Sequence, residues 1–544
     1  MLTRAVRLFH TVRYLRPVQI YGRAAHRLRR LRPRLGPPPA VRAVAGTWAL
    51  PRWRAPSMLG PARFRFLNEE HELAGPGDWD NPAWPRLWLY NLHYFDDLDA
   101  LGAEGRRAWH AALIARWIAE NPPPSGPGWE PYCLSLRIVN WCRFAWSGGR
   151  LEAAAVESLA VQVRALADQL EIHLLGNHLW ANAKALVFAG LFFEGAEADD
   201  WLRLGLKHLV PQLREQVLPD GGHFELSPMY HAIIAADVLD LLAADRIAPA
   251  RLPPPLAAEL AAAAGRMLAW AETMSHPDGE VSFFNDSAMA IAPRAADLTA
   301  QLAALRLTAP PPLDRPVRYL ESSGYVRAEA GPAVLFADVA NVGPDYLPGH
   351  AHADTLSCEL SLFGARMLVN TGTSTYDAGP DRLWERGTAA HNSVVVDGAD
   401  SSEVWSSFRV ARRARPIEVA LSAGQAGVEL SAGHTGYRRL QGRVTHRRRW
   451  RLDERSLTVE DSIEGRSSSA EAVWLLHPEV QVETARERAV VCILRNRAVQ
   501  LELDGGEAAI EDAWWAPEFG LRLPTKHVRC RFAGDRLTSR WLWG

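Results

Sequence analysis

The chain has 544 residues, of which 48% are hydrophobic and 23% are charged, and its formal net charge is −1. This length exceeds what one compact core accommodates, so two or more domains are expected. The composition is that of an ordinary folded protein. Charge is distributed unevenly, because residues 1–34 contain ten Arg and no Asp or Glu, which leaves about −11 on the rest. Nothing in this balance points to nucleic acid, and we predict no such partner.

The first 37 residues are predicted to form a basic amphipathic arm. Apolar side chains such as Phe9 and Ile20 recur between the arginines. We therefore expect peripheral contact between residues 1–34 and an anionic membrane surface. A solvated helix packed on its own domain is the alternative. No apolar run is long enough for a transmembrane helix, and the segment is not a clean signal peptide. Five scattered cysteines without a CxxC pair argue against a disulfide framework.

Two halves that differ in composition and in hydrophobic periodicity follow the arm. The first is rich in Ala and Leu with helical periodicity, as in LEAAAVESLAVQVRALADQLEIHLL from Leu151. After Pro316, short β-branched segments such as NSVVVDG and SLTVEDSI alternate with Gly, Asp and Asn. Helices first and strands afterwards indicate two stacked domains and not a βαβ fold. We predict a helical domain over 38–315 and an antiparallel β-domain over 316–544.

Two helical segments combine polar side chains with apolar surroundings. The segment GNHLWANAKAL is predicted to form a buried helix that carries Asn177 and His178. Buried amides and imidazoles need hydrogen-bond partners or a polar cavity. In DGGHFELSPMYH, Ser227 is a plausible N-cap, which places Tyr230 and His231 in the first helical turn. The helix dipole makes a phenolate less unfavourable there. Internal hydrogen bonds in a helical core are the alternative for both segments.

A third segment, PGHAHAD, belongs to the β-half. If the chain is extended here, His350 and His352 point to the same face, because side chains alternate along a strand. His352, Asn370 and His391 could then meet across neighbouring strands as a metal site. A hydrogen-bonded histidine pair is the alternative.

Taken together, these segments resemble the heparinase II/III family of polysaccharide lyases. The similar stretches are, in chain order, WEPY from Trp129, RIVNW from Arg137, GNHLWANAKAL, DGGHFELSPMYH, PGHAHAD and RGTAAHNSVVVDG. The resemblance implies an incomplete α/α toroid stacked on an antiparallel β-sandwich, with the active site in the cleft between them. It also implies β-elimination on a uronic-acid polysaccharide. A bacterial cell-envelope or periplasmic location follows by resemblance, with the cytoplasmic face of the inner membrane as the alternative.

The resemblance further implies roles for individual residues. Asn177, helped by His178, would contact the sugar carboxylate. Tyr230 would be the general acid, and the base for one sugar epimer, while His350 would be the other base. Three further side chains would bind the substrate: Trp129, Arg137 and His231.

A structural zinc site is the last feature that the resemblance implies. Its ligands would be His352, Asn370 and His391. Relatives that bind zinc have Asp at the middle position, whereas this chain has Asn370. A neutral amide is a weaker ligand than a carboxylate, so we expect weak zinc retention.

Two other functions remain open at this point. An inverting glycoside hydrolase needs two carboxylates across a cleft, and Glu130, Glu225 and Asp286 are available acids. A catalytically silent protein that binds glycans or assists polysaccharide assembly would also account for the basic arm. Product analysis separates the three, because they yield an unsaturated sugar, a hydrated reducing sugar or no product.

Overall fold

The computed structural model describes residues 2–29, 31–249, 251–311, 315–425 and 427–544. Met1 and Arg30 of the predicted arm lie outside these ranges, as do residues 312–314 beside the predicted domain boundary. Helices occupy the first part of the chain, and antiparallel strands occupy the part after residue 316. The predicted order of a helical domain and an antiparallel β-domain is confirmed.

Helix α7 is the centre of the helical domain and packs on α5, α8 and α9. It is apolar on nearly every side and almost wholly buried, as expected for a helix without a polar face. Gly190 lets α8 approach, because a Cβ there would lie 2.5 Å from the Cβ of Leu202. The helices in the described residues are α1 (Leu2–Val12), α2 (Pro17–Leu28), α3 (Arg86–Tyr94), α4 (Arg107–Glu120), α5 (Pro131–Trp146), α6 (Ala153–Ala167), α7 (Gly176–Phe192), α8 (Ala196–Gln216), α9 (Pro228–Ile247), α10 (Pro254–Thr273), α11 (Ala295–Ala304) and α12 (Pro380–Glu385).

Most strands belong to the second half of the chain. The strands in the described residues are β1 (Ala40–Val41), β2 (Arg63–Phe66), β3 (Glu69–Glu72), β4 (Phe193–Glu194), β5 (Val317–Leu320), β6 (Tyr325–Ala330), β7 (Ala333–Asp338), β8 (Cys358–Leu362), β9 (Ala365–Leu368), β10 (Val394–Val396), β11 (Val404–Trp405), β12 (Arg409–Val410), β13 (Pro416–Gly424), β14 (Gly427–His434), β15 (Thr445–Leu452), β16 (Ser456–Glu464), β17 (Ala470–Leu475), β18 (Gln481–Arg486), β19 (Ala489–Leu494), β20 (Arg497–Asp504), β21 (Gly506–Glu518), β22 (Leu521–Phe532) and β23 (Arg536–Trp543).

Three antiparallel sheets build the β-domain. Their strand orders are β5-β6-β7-β8-β9, β13-β14-β15-β16-β23-β20-β19-β18 and β10-β17-β22-β21. In β16 every second residue is buried, among them Leu457 and Val459, so the sheet turns one face toward the core. Trp450, Trp474 and Trp541 lie in that core. The alternating segments seen in the sequence are therefore strands with one buried face.

The two helices of the predicted arm pack against both halves of the molecule. In α1, Thr11 accepts a hydrogen bond from the indole N–H of Trp405 in the β-domain at 3.1 Å. In α2, His26 stacks on His173 of the helical domain with ring centroids 4.5 Å apart. Among the described residues no helix is long and apolar enough to cross a membrane. The arm is thus fixed to the body, although some of its apolar side chains stay exposed, Phe9 at 65%.

Candidate active site

The candidate active site lies where the helical domain meets the β-domain. Helices α7 and α9 contribute Asn177 and Tyr230 from their first turns. The segment between β7 and β8 carries His350, and the loop between α10 and α11 carries Asp286. Arg382 of α12 binds Asp286. The structure therefore brings together three of the residues that the resemblance marks as catalytic.

Asn177 is held in place by the carboxylate of Glu225. The backbone N–H of Asn177 donates to Glu225 Oε1 at 3.0 Å, and its Nδ2 lies 3.1 and 3.2 Å from the two carboxylate oxygens. Glu225 thereby satisfies a free N–H group at the start of α7, where negative charge is favoured. Gly176 permits this approach, because a Cβ there would lie 2.6 Å from Glu225 Oε1 and its φ is +54°. With 2% exposure, Glu225 is a fixed acceptor that orients the Asn177 amide.

His350 is oriented by hydrogen bonds at both ring nitrogens. Its Nδ1 lies 2.9 Å from Asp286 Oδ2, and its Nε2 lies 3.4 Å from Asn177 Nδ2. Burial alone would raise the pKa of Asp286, but Arg382 and two imidazoles hold it well below its usual range. The ionised Asp286 accepts the hydrogen of His350 Nδ1, so in neutral His350 the lone pair is on Nε2. This lone pair faces the amide of Asn177, and Glu225 Oε2 also lies 3.4 Å from Nε2. Nε2 can act as a base once a ligand takes over the Asn177 amide hydrogen.

Tyr230 lies beside the imidazole of His350. Ser227 caps α9, since its side-chain oxygen accepts the backbone N–H of Tyr230 at 3.1 Å, and Pro228 occupies the first helical position. The Tyr230 hydroxyl lies 3.2 Å from the hydroxyl of Tyr376. Burial raises the pKa of Tyr230. The side chain is therefore a neutral phenol at physiological pH, which suits a proton donor.

His178 follows Asn177 in the first turn of α7 and is partly exposed. Its Nδ1 lies 3.0 Å from Glu171 Oε1, and its ring lies against Tyr132 with centroids 4.6 Å apart. Burial disfavours the imidazolium, but the Glu171 carboxylate outweighs that effect and raises the pKa of His178. The side chain remains 38% exposed. It can thus present positive charge to an acidic ligand.

The three residues expected to bind substrate are instead part of the core, and this expectation is wrong. Trp129 is buried and donates its indole N–H to the carbonyl of Asn121 at 3.2 Å. Arg137 is fully enclosed, where it donates to the Gln162 side chain at 2.8 Å and to two backbone carbonyls. His231 is buried, with Nε2 2.9 Å from the carbonyl of Met267. Their polar atoms are satisfied inside the helical domain, so none of them can reach a glycan.

His352 and His391 are buried side by side, with His352 Nδ1 3.1 Å from His391 Nε2. The other nitrogen of each ring faces an acceptor, Asp286 Oδ1 at 2.8 Å for His352 and the Gly387 carbonyl at 2.7 Å for His391. A nitrogen that faces an acceptor carries the hydrogen, so two neutral rings would direct lone pairs at each other. A proton or a metal cation between them would remove that repulsion.

A second buried pair, His434 and His446, has a different arrangement of hydrogens. The backbone N–H of Gly436 donates to His434 Nδ1 at 3.1 Å, so His434 carries its hydrogen on Nε2. That nitrogen lies 3.2 Å from His446 Nδ1 and can donate to it. This pair needs no cation, which makes the His352–His391 pair distinctive.

Asn370 has its side-chain oxygen engaged elsewhere, and its Nδ2 is buried with no hydrogen-bond partner among the described residues. Its Oδ1 accepts the backbone N–H of Asn392 at 3.1 Å, and its own N–H donates to Glu359 Oε1 at 2.7 Å. Within the described ranges, no group of three or more His, Cys, Asp or Glu side chains could hold a metal ion. Of the three expected ligands, the two imidazoles fit zinc and the amide adds little. A bound zinc ion would therefore be structural and weakly held.

Four residues that define the site have no predicted part in the lyase reaction: Glu225, Asp286, Tyr376 and Arg382. Glu225 and Asp286 were considered only as acids of a glycoside hydrolase. Asp286 is fully buried and ion-paired with Arg382, so it cannot serve as the acid or base of such an enzyme. An isolated acid in an apolar stretch, as in FFNDS, is the signal that could have drawn attention to it.

Comparisons with known proteins identify the family of the chain. The family models Heparinase II/III N-terminus and Heparinase II/III-like, C-terminal match residues 104–303 and 312–544. FtsZ-localized protein C of Caulobacter vibrioides is 29% identical over 469 residues, which cover 79% of this chain and 77% of that protein. A heparin-sulfate lyase of Bacteroides stercoris is 42% identical over 67 residues, 11% of this chain and 10% of that protein.

Solved structures share the fold at low sequence identity. The crystal structure of heparinase III superposes with a TM-score of 0.67 at 18% identity, covering 83% of this chain and 76% of that chain. A mutant of heparan sulfate lyase HepC from Pedobacter heparinus gives a TM-score of 0.60 at 18% identity, covering 89% of this chain and 81% of that chain. The predicted toroid followed by an antiparallel β-domain is confirmed by these matches.

Fold, site and family models together define the class of the protein, which is a polysaccharide lyase. The chain belongs to the heparinase II/III-like family.

Proposed function

We propose that the protein cleaves a uronic-acid-containing glycan by β-elimination, with His350 as the base and Tyr230 as the acid. The supporting observation is that the two rings are adjacent, with centroids 3.9 Å apart. Elimination acts on two neighbouring sugar carbons, so the acid and the base must be close together. An inverting hydrolase instead needs two carboxyl groups about 6.5–9.5 Å apart with room for water.

Proton removal from C5 is difficult while the neighbouring carboxylate is ionised. Hydrogen-bond donors that stabilise the developing enediolate lower this barrier. Asn177 and His178 supply such donors at the start of α7, where the helix dipole adds positive potential. The substrate carboxylate would take the Asn177 amide hydrogen that faces His350. Binding would thus free His350 Nε2 for its role as base.

The reaction then requires only two proton transfers. His350 Nε2 takes the C5 proton, the C5–H electron pair forms the C4–C5 double bond, and the C4–O bond breaks. The leaving oxygen takes the hydroxyl proton of Tyr230. Tyr376 lies within hydrogen-bond distance of Tyr230 and can pass a proton to the Tyr230 phenolate after the leaving oxygen has taken the original one. No water is consumed.

A panel of uronic-acid glycans tests this proposal. Wild-type protein is incubated with each polymer, and the ultraviolet absorbance of the new double bond is recorded together with product mass. An unsaturated uronate product supports elimination. A product that has gained water would contradict it, and so would activity retained by His350→Gln.

A catalytically silent glycan-binding protein is the second candidate. It is favoured by one observation, namely that Glu225 already occupies the amide of Asn177. A relative named for its localisation with FtsZ, and not for an activity, fits this candidate as well. Binding of a uronic-acid polymer without any product would support it over the lyase.

We also propose that the protein works in the bacterial cell envelope while attached to an anionic membrane surface. Helices α1 and α2 carry exposed apolar side chains between exposed arginines: Leu8, Phe9, Ile20, Tyr21 and Leu28. A basic helix with exposed apolar residues binds anionic lipid by combining charge attraction with shallow burial.

Zinc is proposed as an accessory component of the β-domain. His352 Nδ1 and His391 Nε2 would hold it, and their facing lone pairs are the observation that supports it. The ion would serve folding of the segment that bears His350. It has no part in the proton transfers.

A further inference from the structure

The hairpin formed by β11 and β12 carries an exposed aromatic side chain next to the catalytic residues. Phe408 is 44% exposed, and its ring centroid lies 6.2 Å from that of His350 and 5.3 Å from that of Tyr376. The hairpin is held in this position because the buried Arg382 donates through Nε to the Ser407 carbonyl at 3.1 Å. The surface of the site therefore continues from His350 onto the hairpin.

Arg409 of β12 is turned toward the arm. Its guanidinium stacks on the Trp405 ring at 4.9 Å from the centroid, and the Trp405 indole donates to Thr11 of α1 at 3.1 Å. Arg409 is exposed, and its side chain has no hydrogen bond or ion pair with any residue that the structure describes. Both carboxylate oxygens of the neighbouring Glu403 bind Arg412 instead. The positive charge of Arg409 is thus not neutralised within the hairpin.

Two arginines of α2, Arg23 and Arg27, stand across from the hairpin. They are four residues apart and so share one flank of the helix. Both are exposed, and within the described ranges neither side chain has a hydrogen-bond or ion-pair partner. Partial burial, together with the positive charges of Arg409 and Arg27, lowers the pKa of Arg23. An anion bound between α2 and the hairpin would relieve this repulsion.

This flank of α2 differs from the apolar face that is proposed to contact lipid. Gln19 is buried against the body of the protein, whereas Tyr21 and Leu28, seven residues apart, lie on the opposite side of the helix. Arg23 follows Gln19 by four residues and lies beside the buried face, close enough to Arg409 for their charges to repel. The arginine flank therefore borders the β-domain and its active site, which favours a glycan over a lipid as its ligand.

We propose that Arg23, Arg27 and Arg409, the arginine cluster, form a subsite for an acidic sugar that follows the cleaved uronate along the polymer. A polymer with its uronate at His350 would pass Phe408 and reach the cluster with its further sugars. Guanidinium groups with free N–H donors bind carboxylates through paired hydrogen bonds. The inference rests on the proposed function and adds a second acidic sugar to its substrate. Two of the three cations precede residue 104, where the first family-model match begins.

Binding measurements on the Tyr230→Phe variant test the subsite without turnover. The probes are heparosan and alginate oligosaccharides of equal length, measured by isothermal titration calorimetry. Adding Arg23→Gln and Arg409→Gln should weaken binding about fivefold, because each exposed ion pair contributes modestly. In the otherwise wild-type protein the same two changes should raise KM and leave kcat unchanged, because the contact is equal in the ground state and the transition state.

Arg150→Gln with Arg536→Gln is the matched control. It removes the same charge from two exposed arginines outside α2 and the hairpin, one before α6 and one in β23. The affinity for both oligosaccharides should stay unchanged. A loss as large as that of the cluster variant would overturn the subsite, because the effect would then be general charge attraction.

The outcomes separate this inference from the proposed function. Cleavage by the wild type with undiminished binding in the cluster variant would overturn the subsite and leave the lyase intact. Weakened binding in the cluster variant, without product from any polymer, would uphold the subsite and overturn the lyase. Loss of binding to anionic vesicles with unchanged oligosaccharide affinity would assign the cluster to lipid and overturn the subsite. Absence of cleavage and of binding for both probes would overturn both proposals.

Discussion

The imidazole of His350 stacks on the phenol ring of Tyr230, with centroids 3.9 Å apart and planes inclined by 31°. One ring carries a lone pair on Nε2, and the other carries a hydroxyl that burial keeps protonated. A base and an acid thus lie on neighbouring rings.

Tyr230→Phe should reduce elimination by on the order of 10²–10⁴-fold, because it removes only the proton donor. Its hydroxyl bonds only to that of Tyr376 among the described residues, so the loss of stability should be about 1 kcal/mol or less. Steady-state kinetics measure the loss of activity, and thermal unfolding measures the loss of stability. Tyr319→Phe, at a half-buried tyrosine of β5, is the control and should keep full activity. Near-native activity of Tyr230→Phe would remove Tyr230 from the mechanism.

Asp286→Asn should destabilise the fold by about 3–5 kcal/mol, because it leaves the enclosed Arg382 without a counter-charge. It should also reduce activity, since His350 loses the carboxylate that fixes its tautomer. Urea unfolding measures the first effect. Asp512→Asn, at an exposed pair with Lys526, should give no measurable change. Equal stability of the two variants would contradict the role of Asp286.

The sequence predicted the order of the domains well, because helical and strand periodicities are local properties of the chain. It also singled out Asn177, Tyr230 and His350, which the structure brings together. It misassigned Arg137, since a charged residue in a motif gives no sign that Gln162 and two carbonyls enclose it. Glu225 was missed as the partner of Asn177, because the two are 48 residues apart and meet only in the folded chain.

Acid should destabilise the protein through buried neutral histidines. Burial lowers the pKa of His93 to about 3 and that of His231 to about 4. Each ring also accepts a hydrogen bond at Nδ1, from Trp117 and from the backbone of His223 respectively. Because the folded-state pKa lies below the unfolded value of about 6.5, unfolding takes up protons between these values and stability falls as the pH drops below about 6.5.

Unfolding free energies measured from pH 7 to pH 5 check this. Each of the two histidines should contribute about 1.4 kcal/mol per pH unit over the lower part of this range. His231→Gln keeps an acceptor at the site. It should reduce the slope of unfolding free energy against pH by the contribution of one proton. A stability that does not change between pH 7 and pH 5 would show that these rings are not held neutral.

Zinc content tests the His352–His391 pair. We expect less than one zinc ion per chain after dialysis against a chelator, because Asn370 adds no negative charge. Asn370→Asp should increase retention if the three side chains converge. His446→Gln, in the pair that needs no cation, should leave zinc content unchanged. Stoichiometric zinc in the dialysed wild type, or no gain with Asn370→Asp, would contradict the expectation.

Membrane association is tested on the exposed face of the arm. Phe9→Ser with Tyr21→Ser should reduce sedimentation with anionic vesicles, and added salt should weaken the binding of the wild type. Leu101→Ser, at an exposed apolar residue of the helical domain, is the matched control. Equal sedimentation of the double variant and the wild type at low salt would exclude this face as the attachment site.

Arg16 and Gln19 restrict how the arm can be altered. Arg16 stacks on the ring of Tyr346 at 3.7 Å and pairs with Glu215, while Gln19 donates to the Tyr346 carbonyl at 3.0 Å. Tyr346 lies four residues before His350 in the same segment. The point variants above are therefore better tests of membrane association than a deletion of the arm, because a deletion would also release this segment.

The same contacts make α1 and α2 a further tether between the two halves, which are also joined by direct hydrogen bonds. Any hinge motion that widens the cleft must separate Tyr346 from Glu215 or pull Arg16 away from one of them. Helices α1 and α2 therefore restrain the opening of a cleft between the halves, together with direct hydrogen bonds such as that from Trp270 to Ser323. A chain attached to lipid through these helices would have its opening restrained by the attachment as well.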